Sequence, residues 1–328
     1  MTNLTNISSP VKKIFRLVIF LACIGYLVWF FYVNRQSLRI AFDISISTII
    51  LIVLLWAVYL FLLSYRFQLI LEKCSGRRPH FWSLFRIFVL GRFLNTFISQ
   101  AGTVYRGLQL KQEYGISYTD YISSFASFGW MDSWINMTVA ALAMLICGSN
   151  LKIGPFYAWH ISLVLAICIF VVPLLLEAVF GKIRFRNTYL NWMHSKLTEV
   201  LKVTVENVKD TAYVSKIIIL GIATLICVGA LYYICFRIFD ITLNIPLLAV
   251  FYALLSLSTC IIITPGNIGV QELAYGFLSK QLGFGMAQGV LVAVFARVSG
   301  TAIVLLLGIT LGGIDLLKQQ KKHSNQQL

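Results

Sequence analysis

A glycine-rich stretch, TPGNIGVQELAYG, interrupts an apolar part of the sequence and carries one carboxylate. Pro265 cannot donate a backbone hydrogen bond and biases the preceding residue away from helix, so a helix is predicted to end there. Gly266, Asn267 and Gly269 tolerate positive φ or a close backbone approach. A new helix is predicted to begin near position 268. Its unpaired N–H groups and positive dipole end are suited to a phosphate or carboxylate.

The carboxylate of this stretch, Glu272, lies one turn inside the second helix. Two interpretations remain open. In the first, Glu272 is a switchable partner of a bound headgroup. In the second, it only complements the positive end of its own helix, and the Pro-Gly pair is a connecting turn.

A second interruption, FISQAGTVYRG, follows an apolar segment that itself contains arginine. Arg92, Asn95 and Ser99 fall at positions i, i+3 and i+7, on one face of a helix that points toward Gly102. Arg106 follows that glycine by four residues. An arginine fork can hold a phosphate through two hydrogen bonds, so these residues are candidates for headgroup binding. The alternative for Arg92 is that it extends to the membrane interface.

Two more charges, Asp132 and Arg297, lie inside otherwise uncharged segments. A charge at the bilayer centre costs about 2.5–3.5 kcal/mol, so neither is expected to face lipid. We expect them to pair with Arg106 and Glu272, either as a coupling device or as a structural pair that sets helix register. Histidine and cysteine are scattered without metal-ligand spacing, and we predict no metal, no cofactor and no catalytic residue.

Composition identifies the class of protein. Hydrophobic residues make up 59% of the 328 residues, charged residues 12%, and the mean hydropathy is +0.84. Uncharged runs cover 17–34, 44–65, 153–176 and 217–236. Because a membrane-spanning helix needs about 20 apolar residues, the chain is predicted to be a polytopic membrane protein.

Loop charges predict the orientation. Segments 1–16, 64–80, 181–216 and 315–328 carry net charges of +3, +3, +4 and +2, whereas 34–43, 149–154 and 237–245 carry +1, +1 and 0. Positive loops stay in the cytoplasm, so both termini are predicted there, with the protein in the plasma or inner membrane. We therefore attribute the net charge of +15 to positively charged cytoplasmic loops rather than to nucleic-acid binding.

This orientation predicts an all-α polytopic fold with about six full transmembrane helices plus two interrupted hairpins within a single membrane domain, 1–328. Two full transmembrane helices over 81–114 would also agree with the orientation that the loop charges predict. Arg92 and the break at Gly102 favour a re-entrant hairpin instead. Segment 44–148 is read as a first half-repeat and 215–316 as a second of inverted topology.

Between the halves, 181–214 is predicted to be a cytoplasmic amphipathic segment. Apolar residues recur there at helical spacing opposite Lys196, Lys202 and Lys209. Such a helix can bind an anionic lipid surface. An ordinary solvated connector helix is the alternative.

These motifs together resemble the transmembrane region of the lysylphosphatidylglycerol synthase family of flippase-like proteins. PGNIGVQE followed by Arg297 is similar to the family's Pro-Gly-Gly-x-Gly-x-x-Glu and its later arginine. Asn95, Gly102 and Arg106 resemble its Asn-x-x-x-Pro-x-x-x-Gly-x-x-x-Arg, and Asp132 stands at the aspartate of Glu-Arg-x-x-Asp.

The chain departs from the family pattern at several positions. Ser99 replaces the proline, the glycine follows it by three rather than four residues, Asn267 replaces a glycine, and Phe128-Gly129 replaces the Glu-Arg. The cytoplasmic segments predict no soluble synthase domain, so lysyl transfer by this chain alone is not expected.

The resemblance implies translocation of a lipid with a phosphate-bearing or charged headgroup, either a phospholipid or a polyprenyl-phosphate-linked sugar, by alternating access. Two alternatives stay open. The first is an integral-membrane transferase that uses a lipid-phosphate donor. The second is a non-catalytic membrane partner of a glycosyltransferase or lipid synthase. A transporter is favoured over an enzyme.

Overall fold

The computed structural model describes Tyr32 and residues 44–97, 100–147, 152–153, 155–180, 188–258 and 269–324. Ten helices account for nearly all of these residues. They are α1 (Ile46–Ser75), α2 (Phe81–Phe97), α3 (Ala101–Tyr114), α4 (Tyr118–Ile146), α5 (Ala158–Phe180), α6 (Thr188–Val208), α7 (Thr211–Ile238), α8 (Ile245–Ser258), α9 (Val270–Gln281) and α10 (Met286–Ser324). Strands β1 (Lys152–Ile153) and β2 (Phe156–Tyr157) form a small antiparallel pair. The predicted all-α class is confirmed.

Four described helices are long and apolar enough to cross a membrane: Ile46–Ser75, Ala158–Val179, Thr211–Ile238 and Met286–Gly312. The chain is therefore a multi-pass membrane protein. The first uncharged run, 17–34, lies outside the described residues apart from Tyr32. Helix α4 has the length of a span, 29 residues, but its first half contains buried serines and Asp132.

Helix α1 is longer than predicted. The uncharged run ends at position 65, but the helix continues from its N-cap Ser45 through Ser75 and ends at Gly76, which adopts φ 66°. No proline or glycine interrupts the chain before Gly76, so nothing in the backbone stops the helix earlier. As a consequence Arg66, which the charge pattern assigns to a cytoplasmic loop, lies inside the bundle with 0% exposure.

Each part of the bundle buries its own apolar core. In α1–α4 the core is formed by residues such as Phe67, Phe88 and Tyr121. In α7–α10 it includes Phe236 and Phe251. The two parts are joined where α1 packs on α7, α4 on α8 and α2 on α10. This arrangement lets residues of α2, α9 and α10 line one cavity.

Helices α3 and α9 are short. They contain 14 and 12 residues, which correspond to about 21 Å and 18 Å of helix. Both are shorter than a hydrocarbon core of about 30 Å. At the start of α3, Gln100 adopts a left-handed conformation with φ 67°, and α9 is preceded by Gly269 with φ 84°.

The segment predicted to be amphipathic contains α6, which packs against α1, α4, α5 and α7. The junction to α7 is held by the carboxylate of Asp210, which accepts a hydrogen bond from the Lys73 ammonium at 2.6 Å and caps α7 through the Tyr213 N–H. The hydrogen bond from Lys73 lowers the pKa of Asp210. Helix α6 itself carries two lysines and two glutamates, so the basic excess of 181–216 comes largely from 182–186, outside the described residues.

Candidate functional site

A cavity of about 640 Å³ lies between α1, α2, α7, α9 and α10. Its polar and aromatic lining comes from distant parts of the chain and includes Trp56, Arg92, Asn95, Gln271, Glu272 and Arg297, together with Thr96, Tyr232, Tyr275 and Thr301. Four of these, Arg92, Asn95, Glu272 and Arg297, are candidates from the sequence. The fold therefore brings residues next to both interruptions to one site.

Glu272 is the anionic centre of this cavity. Its Oε1 lies 2.5 Å from Nε of Arg297, and its Oε2 accepts the backbone N–H of Gly269 at 2.7 Å. Arg297 also donates from Nη2 to Oε1 of Gln271 at 2.8 Å. Both oxygens of Glu272 are thus engaged, one by a charge-assisted pair and one by the start of its own helix.

The helix that carries Glu272 begins close to the predicted position. Gly269 precedes α9 with φ 84°, a conformation that favours glycine. The turn that leads into it, with Pro265, Gly266 and Asn267, lies outside the described residues. Its role in binding stays a prediction.

Arg92 is the second cation of the cavity. Its guanidinium lies 5.8 Å from the ring centre of Tyr59 and 5.4 Å from that of Phe88, so two aromatic faces hold it. Among the described residues, no carboxylate pairs with Arg92. An arginine held in this way can offer its fork to a bound acceptor.

Asn95 joins α2 and α3, the helices on either side of the first interruption. Its Oδ1 accepts the backbone N–H of Gly102 at 2.7 Å and so satisfies an orphan donor in the first turn of α3. Arg92 and Asn95 both face the cavity, in agreement with their i, i+3 spacing. Ser99, the third residue of that pattern, lies outside the described residues.

Comparison with known proteins identifies the family of the chain. Residues 13–308 match the family described as the lysylphosphatidylglycerol synthase TM region. The chain belongs to this family. No curated protein and no solved structure matches it.

Within this family member, Arg106 does not line the cavity. Its side chain packs against Gly91 and lies between the rings of Phe88 and Phe125, at 5.3 and 5.9 Å, and its Nε donates to the Gly102 carbonyl oxygen. The side chain is 6% exposed. This placement argues against direct contact between Arg106 and a ligand in the cavity, and for a role in joining α2 to α3.

Asp132 pairs with a residue that the sequence interpretation did not single out. Its Oδ1 accepts from Nη1 of Arg66 at 2.8 Å, and its Oδ2 accepts from Nδ2 of Asn136 at 3.3 Å. The expected pairing with Arg106 is therefore wrong. Arg66 also lies over the ring of Phe128 at 4.9 Å, while its Nε and Nη2 are buried without a hydrogen-bond partner. Residues 46–75 contain no proline or glycine, and this absence of helix breakers was the signal that could have placed Arg66 inside the bundle.

Trp56 and Gln271 are cavity residues that sequence reasoning missed. Gln271 is adjacent to Glu272 in the glycine-rich motif, so its position was available in the sequence. Trp56 carries no such signal, because its place in the cavity depends on the packing of α1 against α10, where its Nε1 donates to Ser299 at 3.1 Å. No group of three His, Cys, Asp or Glu side chains that could hold a metal is found in the part of the chain that the structure describes.

Gly102 sits at the closest approach of α2 and α3. A Cβ added there would lie 1.6 Å from the Gly91 carbonyl oxygen. We expect Gly102→Ala to force the helices apart and to destabilise the protein by about 1–3 kcal/mol. Thermal unfolding of the purified protein in detergent measures this loss. The matched control is Gly129→Ala, where nothing lies within 4 Å of the added carbon and no loss is expected. Equal stability of the two variants would contradict the close approach.

Proposed function

We propose that this protein is a flippase for a lipid with a phosphate-bearing or charged headgroup, either a phospholipid or a polyprenyl-phosphate-linked sugar, that works by alternating access. One observation carries the proposal. The cavity places Arg92 and Asn95 from one part of the bundle opposite Glu272 and Arg297 from the other.

A charged side chain within the membrane-embedded part of a protein is costly. An ionisable side chain in an apolar bundle is retained where it has a partner or a function. Glu272 and Arg297 partner each other, but Arg92 lines the same cavity beside two aromatic rings and without a carboxylate partner among the described residues. A lipid phosphate would supply the counter-charge for Arg92, while its acyl chains stay in lipid.

The pattern of helix lengths supports two related halves. Helices α1 to α4 contain 30, 17, 14 and 29 residues, and the described parts of α7 to α10 contain 28, 14, 12 and 39. The order long, short, short, long occurs twice. This order favours half-repeats 44–148 and 215–316, with α2–α3 and α8–α9 as re-entrant hairpins whose breaks meet at the substrate.

In this proposal the protein lies in the plasma or inner membrane with both termini in the cytoplasm, as the loop charges predict. Binding of anionic lipid by 181–216, and a glycosyltransferase or lipid synthase as partner, remain predictions. Rocking of the two halves would open the cavity to each leaflet in turn.

Transport by purified protein in vesicles tests the proposal. The probe is phosphatidylglycerol with a fluorescent acyl chain, and the readout is the rate at which label on the inner leaflet becomes accessible to a membrane-impermeant quencher. We expect wild-type protein to accelerate this exchange over protein-free vesicles. We expect Arg92→Ala to slow it by about tenfold or more, because the fork for the phosphate is lost.

Arg86→Ala is the matched control for this experiment. Arg86 is on the same helix, but it pairs with Glu113 at 3.1 Å and does not line the cavity. Its rate should stay within about twofold of wild type, since partly exposed ion pairs contribute little. Two results would contradict the proposal: no acceleration by wild-type protein, or equal rates for the wild type and Arg92→Ala.

A further inference from the structure

We infer that the cavity takes an anionic headgroup and rejects headgroups that carry an ammonium group. The inference rests on the proposed function and narrows its substrate class. It also separates this protein from the aminoacylated lipid after which the family is described, because a lysyl headgroup brings positive charge.

The carboxylate of Glu272, which lines the cavity, already has partners for both of its oxygens. Among the described residues of the lining, Glu272 alone is acidic. One of its oxygens pairs with Arg297 and the other accepts the Gly269 N–H. An incoming ammonium group would therefore have to compete with an arginine for the first oxygen, or displace the cap of α9 from the second.

Apart from the hydroxyls of Thr96 and Thr301, which can donate or accept, the polar side-chain groups that remain available to a ligand are donors. Arg92 has five N–H donors and no carboxylate partner among the described residues. The amide oxygen of Asn95 accepts from Gly102, and the amide oxygen of Gln271 accepts from Arg297. Each of these two side chains is therefore left with its NH₂ group for a ligand. Phosphate oxygens accept hydrogen bonds and match this set, whereas an ammonium group, which only donates, does not.

The net charge of the cavity lining is positive, which also favours an anionic headgroup. Arg92 and Arg297 oppose one carboxylate, so the lining carries a net charge of +1. In a low-dielectric cavity this charge attracts an anion and repels a cation more strongly than it would in water.

The aromatic residues do not provide a cage for a cation. Trp56 packs edge-on against Tyr59 at 5.5 Å, and Tyr275 packs against Phe251 and Tyr232 at 5.3 and 5.8 Å. The hydroxyls of Tyr232 and Tyr275 are hydrogen-bonded to each other. Trp56, Tyr232 and Tyr275 line the cavity, but each of them packs against a neighbouring ring, so fewer ring faces are left for a quaternary ammonium.

Competition binding tests the inference. The full chain in neutral detergent micelles is loaded with fluorescent phosphatidylglycerol, which is then displaced by unlabelled lipids with identical acyl chains. We expect phosphatidylglycerol and phosphatidic acid to displace the probe at concentrations about tenfold lower than phosphatidylcholine or lysylphosphatidylglycerol. Displacement by phosphatidylcholine or lysylphosphatidylglycerol at equal or lower concentration would overturn the inference.

Charge-reversal variants separate the cavity from the overall positive charge of the chain. Arg92→Glu and Arg237→Glu change the net charge equally, but Arg237 is exposed at the end of α7 and does not line the cavity. Arg92→Glu should abolish the preference for phosphatidylglycerol, and Arg237→Glu should keep it. If Arg92→Glu does not fold, Arg92→Gln removes the same cation and should lower the preference at least severalfold. Loss of preference in both reversal variants would overturn the inference.

The inference and the proposed function can fail separately. Lipid exchange in vesicles without a preference for anionic headgroups would contradict the headgroup selectivity but support the flippase function. Selective displacement by anionic lipids without any lipid exchange in vesicles would contradict the flippase function but support a binding site for anionic lipids.

Discussion

Replacing Asp132 by alanine is expected to lower the free energy of unfolding by about 3–5 kcal/mol, the largest effect of any change considered for this protein. Arg66 is fully buried, and Asp132 is the acceptor 2.8 Å from its Nη1. Two other nitrogens of Arg66 already lack a partner. Without Asp132 the guanidinium would remain an uncompensated charge in the bundle. Thermal or denaturant unfolding in detergent measures the change.

A control and a rescue make this prediction specific. Asp120→Ala, on the same helix, removes a carboxylate that accepts from Ser117 near the helix start, and should cost about 1 kcal/mol or less. The double variant Arg66→Met with Asp132→Leu replaces both charges by apolar groups and should recover most of the stability. A single variant as stable as wild type, or a double variant as unstable as the single one, would contradict a buried structural pair.

Glu272→Gln is expected to have the second largest effect, a loss of about 3 kcal/mol in stability. A glutamine places one donor NH₂ group against either Arg297 or the Gly269 N–H, each of which needs an acceptor. The loss lies at the lower end of the range for buried pairs because the Arg297 side chain is 24% exposed and can reach the cavity. If the proposed function holds, transport should fall as well, since the start of α9 forms part of the headgroup site.

Gln271→Ala provides the comparison for Glu272→Gln. It removes the 2.8 Å hydrogen bond from Arg297 but leaves the ion pair, so a stability loss of about 1 kcal/mol is expected. Unfolding of both variants in the same detergent gives the two values. If Gln271→Ala destabilised the protein as much as Glu272→Gln, the ion pair would not be the main interaction at the start of α9.

Much of the candidate site could be anticipated from local patterns. The spacing of Arg92 and Asn95 placed them on one helix face, and the glycine before Glu272 marked the start of α9 to within two residues. Arg106 shows the limit of this reasoning. It has the same chemistry as Arg92 and stands beside the predicted break, yet its side chain packs between Phe88 and Phe125 instead of lining the cavity.

The sequence by itself determined the class of the protein, its family, the helix breaks and the presence of charges that need partners. These properties follow from composition and short spacing, because hydrophobicity, backbone freedom and the cost of an unpaired charge belong to each residue and its near neighbours. Glu272 was expected as a partner and pairs with Arg297, but only the tertiary structure decided that Asp132 pairs with Arg66 and that Gln271 contacts Arg297. Arg66 and Asp132 are 66 residues apart, and Arg297 and Gln271 are 26 apart. Which charges meet depends on how each helix is rotated when the apolar faces pack, and no local pattern contains that rotation.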